Sequence, residues 1–163
     1  MADPAPPRAR PPDPLPGDAP NLGRRLLVLA CSARKRTDAG PLPALERYDG
    51  PAFRVLRKFL AVAADPPDVL VLSAKYGLVP SAREIPDYDT RMTPELAEEM
   101  RADVLRVLDG VVARSGYAEV AFCLGATYRD AVAGFEPTSI TMTFITGTQG
   151  ARLRNLRAWL ERK

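Results

Sequence analysis

Four short segments of this 163-residue chain concentrate side chains capable of chemistry. The first is Cys31-Ser32-Ala33-Arg34-Lys35-Arg36, where small residues sit beside three cations. That pattern suits an anionic group, although Cys31 by itself reads more simply as a structural thiol. The second is Ser73-Ala74-Lys75-Tyr76-Gly77-Leu78-Val79-Pro80. Ser73, Lys75 and Tyr76 are donors, Gly77 permits a tight turn, and Tyr76 is suited to stack on a base or to pack as a lid. This segment leads into Asp87-Tyr88-Asp89. In an extended stretch the two carboxylates share one side and Tyr88 takes the other. Adjacent carboxylates push one pKa upward and can form an acid/base pair; the plainer reading is two turn-forming aspartates. The third segment, Leu124-Gly125-Ala126-Thr127-Tyr128-Arg129-Asp130, places a glycine before a helix start. It offers backbone amides to an anion, and Thr127 suits a helix cap. The fourth, Thr146 to Arg152, also leads into a helix, whose Arg152, Arg154 and Arg157 suit a phosphate backbone.

What is missing narrows the chemistry. The chain has no histidine, which removes Ser-His-Asp triads, Cys-His dyads and His-ligated zinc. Two cysteines make neither a four-cysteine metal site nor a disulfide framework. No phosphate-binding loop of the G-x-x-x-x-G-K-[ST] or G-x-G-x-x-G type occurs. Catalysis is left to carboxylates, Lys, Arg, Ser/Thr, Tyr, Cys or backbone amides, and neither metal nor cofactor is expected. Net charge is +3 with nineteen Arg against four Lys, which reads mainly as a bias toward Ala, Arg and Pro. No apolar run approaches the roughly 18 residues of a membrane span, and the first residues lack the apolar core of a secretory leader. A cytoplasmic location with reduced thiols is expected.

The elements that must position these segments follow from hydrophobic pattern. Residues 1–23 hold eight of the seventeen prolines and read as an extended, mobile tail. Residues 24–163 read as a single α/β domain. Continuous apolar runs at Leu26–Cys31, Val69–Leu72 and Val120–Leu124 predict strands buried on both faces. A more alternating run at Ile140–Ile145 predicts a fourth, nearer an edge. Helical spacing covers Phe53 to Ala63, Thr93 to Arg114, Tyr128 to Ala133, and Gly150 to Leu160. Thr93-Pro94-Glu95 is a strong helix start, with a capping hydroxyl, a first-turn proline and an acid. Strand and helix alternate four times, predicting a mostly parallel four-stranded sheet in a three-layer, Rossmann-like fold. Ligands of such sheets bind beyond the carboxyl ends of the strands, where all four segments fall.

The motifs C-S-x-x-K at Cys31–Lys35, Y-x-G-x-x-F-R at Tyr48–Arg54, L-S-A-K-Y-G-L-V at Leu72–Val79 and I-P-x-Y-D at Ile85–Asp89 form a set. Together they resemble a family of small bacterial and phage proteins bearing the SAKYGL motif. That family is distantly similar to the peroxide-stress protein YaaA and to a domain of archaeal tRNA-guanine transglycosylase relatives. The resemblance spans Leu26 to Leu160. It implies a Rossmann-like fold of the broad type shared with uracil-DNA glycosylases, with DNA binding, oxidative stress and modified bases as the associated roles. It also implies a site containing Cys31, Ser32, Lys35, Tyr48, Phe53, Arg54, Ser73, Lys75, Tyr76, Gly77, Tyr88 and Asp89. YaaA-like proteins are larger and carry an extra DNA-binding portion for which this chain has no room.

Two functions follow. The first is cleavage or handling of an N-glycosidic bond of a nucleotide or modified base. Asp89 or Asp87 would stabilise charge on the sugar or activate water. Lys75 and Lys35 would hold phosphate, Tyr76 or Tyr48 would stack on the base, and Gly125 and Thr127 would add substrate contacts. The alternative is a non-catalytic, YaaA-like stress-response module that binds nucleic acid. A nucleotide or nucleic acid is the expected partner in both, and no membrane is expected in either.

Overall fold

The structure, a computed structural model, describes residues 23–162. The expected proline-rich tail therefore lies outside the described residues, Gly23 excepted. A five-stranded sheet has the order β4-β3-β1-β6-β7. Its centre is β1 (Arg25–Ala30), parallel on one side to β3 (Asp68–Ser73) and on the other to β6 (Glu119–Cys123). Outside β6 runs β7 (Thr141–Phe144), also parallel. Outside β3 lies β4 (Gly77–Pro80), which is antiparallel. A separate pair joins β2 (Leu42–Pro43) to β5 (Glu84–Ile85).

The four expected strands are all present and parallel, but the sheet has five. The addition, β4, turns the lysine-tyrosine-glycine loop into a hairpin in which Ser73 faces Gly77. Gly77 takes a positive φ of 69°, a region closed to most residues with a Cβ. Only Leu78 and Val79 of β4 are apolar and buried. A run that short carries no readable period.

Side chains alternate across the sheet, which explains why its strands are apolar throughout. Leu26, Val28, Leu70, Leu72, Val120 and Phe122 face one way. They meet α3 (Pro94–Ser115) through Val104, Leu108 and Val111. Leu27, Leu29, Val69, Val71 and Ala121 face the other way. There they meet α1 (Ala44–Arg47), α2 (Pro51–Leu60) and α5 (Gln149–Glu161) through Ala44, Phe53, Leu56, Leu156 and Trp159. The start of α3 is as expected: Thr93 Oγ1 accepts from the Leu96 amide at 3.1 Å, with Pro94 in the first turn. The short helix α4 spans Ala126–Asp130, two residues earlier than expected. Its N-cap is Gly125, and no side chain caps it, so Thr127 does not serve as a cap.

Buried polar groups at the amino ends of the strands are consumed by the fold. Glu119 accepts from Trp159 Nε1 at 3.0 Å and Thr143 Oγ1 at 2.6 Å and pairs with Arg162. Arg25 donates to the Trp159 and Leu160 carbonyls, two of the orphan acceptors at the end of α5. The opposite, carboxyl ends of the strands are where side chains remain available. No helix among the described residues is long and apolar enough to cross a membrane.

Candidate functional site

The chain leaves β1 for β3 on one side and later returns to β6 on the other. The order reverses between β1 and β6, and a crevice opens beyond the carboxyl ends of such a strand pair. Two clefts lie there. The first, about 370 Å³, is lined by Cys31, Ser32, Arg34, Gly50, Gly125 and Arg152 among others. The second, about 470 Å³, is lined by Cys31, Lys35, Asp89, Arg91, Thr127 and Tyr128 among others. Cys31, Ser32, Ala33 and Gly125 border both, so the turn after β1 is a ridge between them. The ridge is held from two sides. The Cys31 amide donates to the Leu72 carbonyl at 3.0 Å. Ser32 Oγ donates to the Arg34 carbonyl at 2.6 Å and accepts from the Gly50 amide at 3.1 Å. A Cβ at Gly50 would stand 2.7 Å from Ser32 Cβ, so glycine is what lets α2 approach the ridge.

Beside the second cleft stands a cluster of hydroxyls and rings. Ser73 Oγ accepts from the Lys75 and Tyr76 amides at 3.2 and 3.0 Å. With both lone pairs engaged, its proton is directed to the Tyr88 oxygen 2.8 Å away. Tyr88 in turn shares a short hydrogen bond with Tyr48. Lys35 Nζ lies 4.6 Å from the centre of the Tyr88 ring and Lys75 Nζ 6.0 Å from it, both at cation–π range. The Tyr76 ring meets the Tyr88 ring edge-on at 5.3 Å. Burial pushes the Tyr48, Tyr88 and Tyr128 phenols upward, and the nearby Cys31 adds to the rise. All three are neutral hydrogen-bonding groups at neutral pH. Cys31 Sγ contacts Tyr128 Oη at 2.9 Å.

The structure thus gathers most of the expected residues. Cys31, Ser32, Lys35, Asp89, Gly125 and Thr127 line clefts, and Phe53 is the buried wall of the first. Ser73, Lys75, Tyr76 and Tyr88 form the adjoining cluster, with Gly77 in the turn behind it. Others are placed elsewhere. Tyr48 is fully buried between Phe53 and Tyr88, so its ring is not free to stack on a base. Asp87 is exposed and accepts from the Tyr88 amide at 2.9 Å, the turn-forming arrangement. Arg54 is exposed and tied to Asp49 at 2.8 Å. Arg154 is exposed and Arg157 lines a separate shallow groove. Helical spacing turns both away from Arg152, which alone of the three reaches a cleft. Tyr128, Arg91 and Met92 border the second cleft without having been singled out. Arg91 and Met92 lie two and three residues after Asp89, and Tyr128 follows Thr127, so adjacency was the available signal.

Asp49 holds the approach to α2. It pairs with Arg57 at 2.7 Å and more loosely with Arg34 at 3.7 Å. The Arg54 hydrogen bond, assisted by Arg57, holds the Asp49 carboxyl down at about 2 against an ordinary 3.8. A carboxyl lowered on folding stabilises fully above its unfolded value, and the effect is lost as pH falls through the folded one. Asp49→Asn is therefore expected to lower the denaturant midpoint at pH 6. The gap from the parent closes between pH 4 and pH 2, which urea titrations followed by the single tryptophan would show.

Comparison with known proteins gives a family and a fold. The profile of DUF6884, a family of unknown function, matches residues 26–162. The chain belongs to the DUF6884 family. Among solved structures it is similar to AF0587, a protein of unknown function, with a TM-score of 0.56 at 18% identity. That alignment covers 87% of this chain and 46% of AF0587, so the chain spans about half its length. At this identity the likeness concerns the fold alone. No curated protein matches the chain.

Proposed function

We propose that the two clefts hold a nucleotide, free or within a nucleic acid, and that the protein cleaves or handles the N-glycosidic bond of its base, modified bases included. Asp89 carries this reading. It is the one carboxylate among the described residues lining either cleft, and it shares its cleft with Lys35 and Tyr128. When the C1′–N bond breaks, its electron pair leaves with the base and positive charge develops on the sugar. A carboxylate beside that carbon stabilises the charge and takes a proton from the attacking water. The Lys35 ammonium offsets the negative charge gathering on the base. None of these steps requires an imidazole.

The motif resemblance to YaaA and to transglycosylase relatives supports the same chemistry, as does the uracil-DNA-glycosylase-like architecture it implies. The alternative, a non-catalytic nucleic-acid-binding module, requires binding without bond cleavage. The test is incubation with nucleoside 5′-monophosphates and with DNA and RNA containing normal and modified bases, followed by chromatography for free base. Release of base supports the proposal. Binding of these molecules by folded protein with no base released from any of them supports the alternative and overturns the enzyme.

A further inference from the structure

We infer that the first cleft is a binding site for a dianionic phosphate monoester, the terminal phosphate of a mononucleotide whose base lies in the second cleft. The charges carry the argument. Arg34 and Arg152 are the charged residues lining this cleft, and no carboxylate lines it among the described residues. Arg152 is half-buried, and no hydrogen bond or ion pair joins its guanidinium to another described residue. Its Nη1 lies over the bare backbone of Gly125, 3.6 Å from where an added Cβ would stand. Arg34 is largely exposed, and its contact with Asp49 is long, so it can swing to a ligand at small loss. A half-buried cation without a partner has given up hydration that an anion would replace. Its fork also matches phosphate oxygens two at a time.

Charge and surroundings select the ligand class. Two guanidiniums match the nearly double charge of a monoester near neutral pH better than the single charge of a diester. Leu29, Phe53, Cys123 and Leu153 form an apolar lining, which strengthens any ion pair made there. The heads of α2, at Gly50–Ala52, and of α5, at Gln149–Arg152, flank the cleft, a shape for a terminal group more than for a strand passing through. The shared Cys31–Ala33 ridge would lie under the sugar, with Asp89 beyond it. This last placement rests on the proposed function; the anion site does not.

Calorimetry separates the two. The probes are inorganic phosphate, the ribonucleosides, their 5′-monophosphates and a dinucleotide, each with the parent, Arg152→Gln and Asp89→Asn. The parent should bind the preferred monophosphate about 10- to 100-fold more tightly than its nucleoside. Arg152→Gln should erase that advantage and leave nucleoside binding unchanged, whereas Asp89→Asn should retain it. Inorganic phosphate bound by the parent and lost in Arg152→Gln, with no nucleotide preference, upholds the anion site and removes only the nucleotide. Equal affinity for nucleoside and monophosphate, unchanged monophosphate binding in Arg152→Gln, or tighter binding of the dinucleotide overturns the inference.

Discussion

Asp89→Asn is expected to slow release of base from the preferred nucleotide by about 10²- to 10⁴-fold, the range for losing a positioned general base. Nucleotide affinity should change little, because the carboxylate acts on charge that appears only as the bond breaks. The amide keeps the shape of the side chain, and Asp89 is exposed and outside the buried core, so folding should be unaffected. The control is its neighbour in sequence. Asp87 is exposed and engaged by the Tyr88 amide, so Asp87→Asn should leave the rate within about twofold, as expected for a surface change away from the reacting atoms. Single-turnover rates on all three proteins check this. Equal losses at both positions would mean that the aspartates act as a pair, which their placement does not favour.

The largest expected effect on stability lies behind the site. Arg47 is fully buried and has no carboxylate partner in any described ion pair. Its guanidinium donates instead to the carbonyls of Arg36 at 2.7 Å, Asp38 at 3.3 Å, Gly40 at 2.5 Å and Ile85 at 3.4 Å. One side chain thereby fastens the 36–40 loop and the β5 segment to α1. Residues 34–36 also pair with 47–49, through Arg36 N to Arg47 O at 2.8 Å and Asp49 N to Arg34 O at 3.0 Å. This is the pairing that places Lys35 against Tyr88. Arg47→Met removes every donor and leaves the acceptors to find water, at about 3 kcal/mol. For a chain of this size that is a fall of about 6–12 °C in Tm. Arg47→Lys should recover little, since an ammonium cannot span several separated carbonyls. Calorimetric melting of the three proteins checks the order. Parent-like melting of Arg47→Met would show that the loop is held by something else.

The sequence revealed the parallel frame because that frame is written in long patterns. Leu26–Ala30, Val69–Leu72 and Val120–Cys123 are apolar at every position, as strands covered on both faces must be. Thr93-Pro94 marks a helix start without help from the rest of the chain. The site was legible to the extent that its residues follow strands: Cys31 follows β1, Ser73 ends β3, and Gly125 follows β6. What escaped reading depends on tertiary contact. The β4 hairpin was hidden by having two apolar residues. Tyr48 looked available because a tyrosine's burial depends on what packs over it, here Phe53 and Tyr88. Arg47 gave no signal at all, since a surface arginine and a buried one are the same letter. The pairing of Cys31 with Tyr128, 97 residues apart, needed the β1–β6 neighbourhood to be known.

The most direct measurement uses the ridge itself. Cys31 borders both clefts and is partly exposed, while Cys123 is buried and its thiol is pushed up to about 11 by that burial. Labelling with N-ethylmaleimide at pH 7.5, mapped by mass spectrometry, should modify Cys31 and spare Cys123 until the protein unfolds. A saturating nucleotide, at a concentration where calorimetry shows it bound, should slow labelling of Cys31 by about tenfold or more, as burial beneath a ligand requires. Undiminished labelling of Cys31 in the bound state would place the ligand away from the carboxyl ends of β1 and β6 and contradict the account.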